Sequence, residues 1–202
     1  MKTVTGLFDN YDDASDAVGE LEASGVPHAD ISIVANNSSD WYDGDDDSSK
    51  TAADATGGAG VGAVIGGAGG LLTGLGLMAI PGVGPVVAAG WLAATAVGAL
   101  GGAVVGGAAG GIVGALTDSG VPEKDAHVYA EGVRRGGTLV TAKVAGELVD
   151  EAERILGQTN SVNLEERRST YETGGWTSFD PKADPYTDVE VERDRTRKAS
   201  PL

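Results

Sequence analysis

The chain has 202 residues and a formal net charge of -16, with 30 acidic against 14 basic side chains. Neutralising phosphates takes clustered Lys and Arg, so this balance argues against nucleic acid as a partner. No cysteine occurs, which removes disulfides, thiol nucleophiles and Cys-based metal sites and leaves the redox compartment unread.

The first residues, Met1 to Asp9, reach acid before a signal-peptide core can form, so secretion is not expected. Thr3–Phe8 alternates β-favouring residues and is predicted as a strand, with Val4 and Phe8 on one face. Asn10 is placed to cap a helix, with Asp12 and Asp13 at its positive start. Ala14, Ala17, Val18 and Leu21 form its apolar stripe, and Gly25 stops it. Ile31–Ala35 is the second predicted strand.

Residues 36–56 form an acidic linker in which Asp40, Asp43, Asp45, Asp46 and Asp47 cluster around Trp41 and Tyr42. An EF-hand needs alternating Asp/Asn, a Gly at the sixth position and a closing Glu, and that pattern is not met. A solvated linker is the simpler reading, with the two aromatics as candidates for a bilayer interface.

From Gly57 to Thr117 no residue is charged. An apolar run of about 18 residues already suffices for a membrane span, and this one is long enough for two. Pro81, Gly82, Gly84 and Pro85 interrupt it near the middle, which predicts a hairpin turn between two helical arms, Gly57–Ile80 and Val86–Thr117. Gly58, Gly62, Gly66, Gly70 and Gly74 recur every fourth residue in the first arm, and Gly98, Gly102, Gly106, Gly110 and Gly114 in the second. Residues four apart share a helix face, so each arm would carry a bare groove where another backbone can approach. Each glycine costs about 1 kcal/mol relative to alanine in a helix, and close packing of small-xxx-small faces in lipid offsets it. An arm of about 24 helical residues rises about 36 Å, enough for a hydrocarbon core of about 30 Å. The uncharged tip is compatible with a spanning or a re-entrant hairpin. A buried soluble helical hairpin is the competing reading, weakened by the small size of the flanking domain.

Pro122-Glu123 opens a predicted helix through about Arg135, ended by Gly136 and Gly137. Thr138–Val144 reads as a strand with Val140, Ala142 and Val144 on one side, Glu147–Leu156 as a helix and Ser161–Glu165 as a short last strand. Without the hairpin and the helix after it, the order is strand-helix-strand twice over. That order predicts an α+β, ferredoxin-like split βαβ domain with helices on one face, its halves being residues 1–35 and 118–166, with the hairpin 57–117 inserted between them. Residues 167–202 lose periodicity and form a C-terminal tail that is either disordered or docked through Trp176, Phe179 and Tyr186, with the mixed-charge run Asp188–Lys198 a candidate weak helix.

The run Thr5-Gly6-Leu7-Phe8-Asp9, the Ala-rich helix after it and Asp30-Ile31-Ser32-Ile33-Val34 resemble the general stress (heat-induced stress) protein domain of bacteria. The stretch Tyr129 to Val140, with the glycine zipper before it, is similar to bacterial glycine-zipper membrane proteins that carry that domain. The resemblance covers most of residues 1–165 and implies a stress-associated membrane protein, with no catalytic residues to carry over.

Chemistry is sparse along the chain. His28 and His127 lack the partners that a metal site or triad requires, and the G-x-G spacings follow no strand, so neither a metal nor a nucleotide cofactor is expected. Arg134-Arg135 is expected to pair with nearby acids, with an anion or lipid headgroup as the alternative. Lys50, Lys124, Arg134 and Arg135 lie outside the hairpin, which by the positive-inside tendency puts both termini and the folded domain in the cytoplasm of a bacterial inner membrane. The expected function is a non-enzymatic homo-oligomer that scaffolds or shapes the lipid bilayer. A channel and a membrane-anchored, ligand-sensing ferredoxin-like module are the alternatives.

Overall fold

The computed structural model describes residues 1–42, 75–95, 111–158 and 160–199. Five strands, β1 (Lys2–Phe8), β2 (Ile31–Asn36), β3 (Gly76–Ile80), β4 (Gly84–Gly90) and β5 (Thr138–Val144), form one sheet in the order β1-β5-β2-β4-β3. Every neighbouring pair is antiparallel, with Gly6 opposite Val140, Ile33 opposite both Val140 and Ala89, and Met78 opposite Val86. Because β1 and β2 both run against β5 between them, they are parallel to each other. The protein is therefore a mixed α/β fold on a five-stranded antiparallel sheet.

Both faces of that sheet are covered. On the first face, Val4, Phe8, Ile31, Ile33, Val87, Ala89, Val140, Ala142 and Val144 pack under two helices. These are α1 (Tyr11–Ala23), through Ala14, Ala17, Val18 and Leu21, and a helix over Val149–Leu156, through Ala152, Ile155 and Leu156. On the second face, Leu7, Val34, Val86, Ala88 and Leu139 pack under α2 (Ile112–Asp118) and α3 (Glu123–Arg134). The helix over Val149–Leu156 is α4; α5 (Leu164–Thr173) and α6 (Asp188–Ala199) complete the chain order. Local rules account for the helix starts. Asn10 accepts a hydrogen bond from the Asp13 amide at 2.8 Å, and Asn163 caps α5 through the amides of Glu165 and Glu166, both at 3.1 Å.

The structure corrects four sequence expectations. The stretch around the prolines does turn, but what it joins are strands. Residues 76–80 and 86–90, read as the inner ends of two membrane helices, lie in the two strands of a β-hairpin at the edge of the sheet, and Gly84 and Pro85, read as turn, already belong to β4. Pro81-Gly82 sits at the central positions of a turn closed by the Val83 amide on the Ile80 carbonyl at 3.0 Å, with Gly82 at φ 75°. The strands on either side take their hydrogen bonds from β2 and from each other, and a helix offers no bonds to the free side of β2. Ile80, Val83, Val86, Val87 and Leu92 are all buried in protein. Burying such a side chain is worth about 1.5–3 kcal/mol in a protein interior, so the absence of charge marks exclusion from water without choosing between a core and lipid. Among the described residues, no helix is long and apolar enough to cross a membrane.

The second correction concerns the layers: helices cover both faces where one was expected. Each residue of β2 is buried, and two-sided burial demands two covering layers. The helix set aside in counting strands, α3, supplies the second one. Third, Ser161–Glu165 is not a strand. Ser161 makes an isolated bridge to Phe8, and α5 takes over from Leu164 because Asn163 caps it. Fourth, periodicity is not lost at residue 167, since α5 runs on to Thr173; the weak helix expected over Asp188–Lys198 forms as α6, and Tyr171, Phe179 and Val191 of this segment are buried.

Candidate functional site

Of the zipper glycines, Gly58, Gly62, Gly66, Gly70, Gly74, Gly98, Gly102, Gly106 and Gly110 lie outside the described residues. Gly114 lies in α2, half-buried between Val113 and Ala115. The turn residues Pro81 to Pro85 rest against the C-terminal segment. A Cβ on Gly82 would come within 2.7 Å of both the Asp180 carbonyl oxygen and the Pro181 Cα, and one on Gly84 within 2.8 Å of Pro185. Only a residue without a side chain lets the two backbones meet at this place.

The most developed polar constellation is where α3 ends and the tail returns. Glu131, in the last turn of α3, is fully buried. Arg135 donates from Nε to Glu131 Oε1 at 2.6 Å, and Arg134 Nη1 lies 3.5 Å from Oε2. Spacings of three and four residues bring those side chains to one helix face. The same two guanidiniums then bind the tail. Arg135 stacks 4.3 Å from the Tyr171 ring centroid and 5.4 Å from that of Tyr186, and its Nη1 is 3.5 Å from Asp194. Arg134 stacks 4.7 Å from Tyr186 and donates to the Asp184 carbonyl at 2.7 Å. Arg195, from α6, donates to the Gly136 carbonyl at 2.9 Å.

A second clasp holds α5. Arg167 forms a bidentate pair with Asp9 at 2.8 and 2.7 Å, and Arg168 pairs with Asp125. Phe179 is buried against the second sheet face, Trp176 packs edge-on to Tyr171 at 5.7 Å, and Tyr186 is half-buried under the arginines.

The electrostatics match this packing. Burial pushes the Tyr171 phenol up to about 12, against the lowering fields of Arg167 and Arg135. Burial opposes the charge on Arg135, but the hydrogen bond and charge of Glu131 outweigh it and hold the guanidinium above its ordinary range. Arg167 behaves alike through Asp9 and Tyr171. On the other side of α3, burial raises Tyr129 to about 12, and its hydroxyl donates to the Thr5 carbonyl at 3.2 Å.

This arrangement grips peptide. It brings no nucleophile to a base. His28 Nδ1 lies 3.0 Å from Glu22, and His127 Nε2 lies 3.9 Å from Glu123. Among the described residues, no group of three His, Cys, Asp or Glu side chains is placed to hold a metal ion.

Sequence reasoning expected Arg134-Arg135 to pair with local acids and did not single out Glu131. The Glu-x-x-Arg-Arg spacing was a readable signal, but only the returning tail makes that carboxylate a buried one. Trp91 donates to the Asp30 carbonyl at 3.2 Å and carries Lys143 3.7 Å above its ring. No family model matches the chain, and neither a curated protein nor a solved structure matches it.

Proposed function

We propose that this chain is a non-enzymatic, stress-associated membrane protein that associates with copies of itself through its glycine-rich runs and scaffolds or shapes the bilayer. The runs proposed to meet lipid and one another are residues 57–74 and 96–110, on either side of the β3–β4 hairpin. One observation carries the reading. The antiparallel register sets Gly76 opposite Ala88, so both runs join the sheet at the same end of the same hairpin. Tyr42, whose hydroxyl lies 3.4 Å from the Leu75 carbonyl, draws together the two ends of the first excursion. The described strand ends that lead to the two uncharged, glycine-rich sequences thus neighbour each other, which supports the reading that their small-residue faces engage.

The folded part acts as a head on the cytoplasmic side. The order β1-β5-β2, with Ser161 bridged to the outer side of β1, supports a ferredoxin-like split βαβ unit to which β3 and β4 have been added at the β2 edge. The resemblance to the bacterial general stress domain points the same way.

Two measurements test the proposal. Lysed cells expressing the full chain are centrifuged at high speed, and the pellet is extracted with detergent and sized. The chain is expected in the membrane pellet and as an oligomer, with Gly66→Leu and Gly106→Leu reducing the oligomer. A chain that stays in the supernatant, or an oligomer indifferent to both substitutions, refutes it.

A further inference from the structure

At the carboxyl ends of the parallel strands β1 and β2, where each passes into its following loop, lies an open cleft of about 590 Å³. Its walls include Asp9, Tyr11, Asp12, Trp41 and Arg195. The Tyr11 and Trp41 rings meet at 4.8 Å with 44° between their planes, and Tyr42 stands edge-on to Trp41 at 5.9 Å. Trp41 is held in place by its indole N–H, which donates to the Asn36 carbonyl at 2.8 Å, and yet the residue is 42% exposed.

Elsewhere in this molecule, aromatic faces of this kind are covered by cations. Arg135 lies over Tyr171, Arg134 over Tyr186 and Lys143 over Trp91. Among the described residues, no cation is placed over Trp41 or Tyr11. A carboxylate does stand beside them: Asp12, exposed in the first turn of α1, lines the same cleft, and burial, with Tyr42 and Asp12, raises the Tyr11 phenol. Asp9 is engaged by Arg167. An indole face next to a carboxylate is the arrangement that holds an ammonium group. The cleft is not purely cation-selective, because Arg195, held by the Gly136 carbonyl, contributes a positive charge to the same walls.

We propose that this cleft binds a small zwitterion. The ammonium of the ligand lies against Trp41 and Tyr11 beside Asp12, and its carboxylate faces Arg195. Neither a lone cation nor a lone anion meets both walls. A ligand carrying both charges does, and it leaves the local charge balance unchanged.

The test uses the full chain with three probes: glycine betaine, choline and acetate. Tryptophan fluorescence and calorimetry follow the binding. Betaine is expected to saturate and to perturb the fluorescence, while choline binds about tenfold more weakly and acetate not measurably. Trp41→Ala removes the betaine response. Asp12→Asn, a surface change that leaves the fold intact, weakens it several-fold, and Arg195→Gln brings betaine down to the level of choline. Absence of saturable betaine binding overturns the proposal, as does choline binding as tightly as betaine or betaine binding indifferent to both Asp12→Asn and Arg195→Gln. These outcomes are separate from membrane pelleting, so either reading can fail alone.

Discussion

Glu131 has almost no exposed surface, and its two oxygens face two arginines. Removing one member of a buried charge pair leaves the other without compensation, typically at a cost of about 3–5 kcal/mol. Glu131→Gln is therefore expected to lower the unfolding free energy by about 3 kcal/mol, read from urea denaturation. By contrast, Arg154 and Glu151 pair on the surface at 2.6 Å with both side chains about half exposed. Solvent screens such a pair, and Arg154→Gln is expected to leave the urea midpoint in place. If both variants behave alike, the buried cluster is not what holds the end of α3. The pairing partners were legible from the spacing of Glu131, Arg134 and Arg135. Their burial was not, because it depends on Tyr171, Tyr186 and Asp194, which arrive from 36 or more positions further along the chain.

At the scale of elements, the β3–β4 hairpin decides the architecture. It ends at Gly90, where φ is 89° and where a Cβ would collide with the Ile31 carbonyl and sit 2.7 Å from the Ser32 Cα. Backbone atoms cannot give way as a flexible side chain can. Gly90→Ala is expected to detach the hairpin from β2, costing about 3 kcal/mol or more through strain and lost pairing. Amide hydrogen exchange checks this: β3 and β4 should lose protection while β1 and β5 keep theirs, and a uniform loss would contradict it. The opposite end of the hairpin fastens the tail. Gly82→Ala places a methyl against Asp180 and Pro181, and is expected to make residues 174–187 several-fold more sensitive to limited proteolysis with the sheet intact. The turn itself was legible, since Pro followed by Gly at its centre is a turn signal. Residues 76–80 and 86–90 were misread as helix because they continue the same uncharged run; of the glycines spaced four apart, only Gly114 is described, and it lies in a helix. Local pattern could not reveal that β2 had an unpaired edge to fill.

For the molecule as a whole, pH reports how completely the tyrosines are enclosed. Tyr129 and Tyr171 each titrate near 12 in the fold, with burial as the leading cause, against about 10 in an unfolded chain. A folded pKa raised above the unfolded value means that the stabilisation is complete below pH 10 and is lost as pH climbs from 10 to 12. Each group contributes on the order of 2–3 kcal/mol at most. Urea midpoints are thus expected to hold level to about pH 9 and to fall steeply beyond pH 10, with tyrosinate absorbance at 295 nm rising in step with unfolding. Tyr171→Phe should flatten part of that fall. A midpoint unchanged to pH 12 would mean that the two phenols ionise without opening the fold.

Composition and local spacing by themselves determined the acidic balance, β1, α1, β2, α3, β5 and α4, the turn at Pro81-Gly82, and the burial of Ile80, Val83, Val86, Val87 and Leu92 around it. These depend on interactions a few residues long, where propensity, capping and periodicity speak directly. Only the tertiary structure decided that residues 76–90 are strands, that the sheet is covered on both faces and that the tail is clasped by Arg134, Arg135 and Arg167. Each of those outcomes rests on a partner far away in the chain: the open edge of β2, the bare second face of β5, the carboxylates of Asp9 and Glu131. Hydrophobicity says that a segment must leave water, and the fold alone says what it meets when it does.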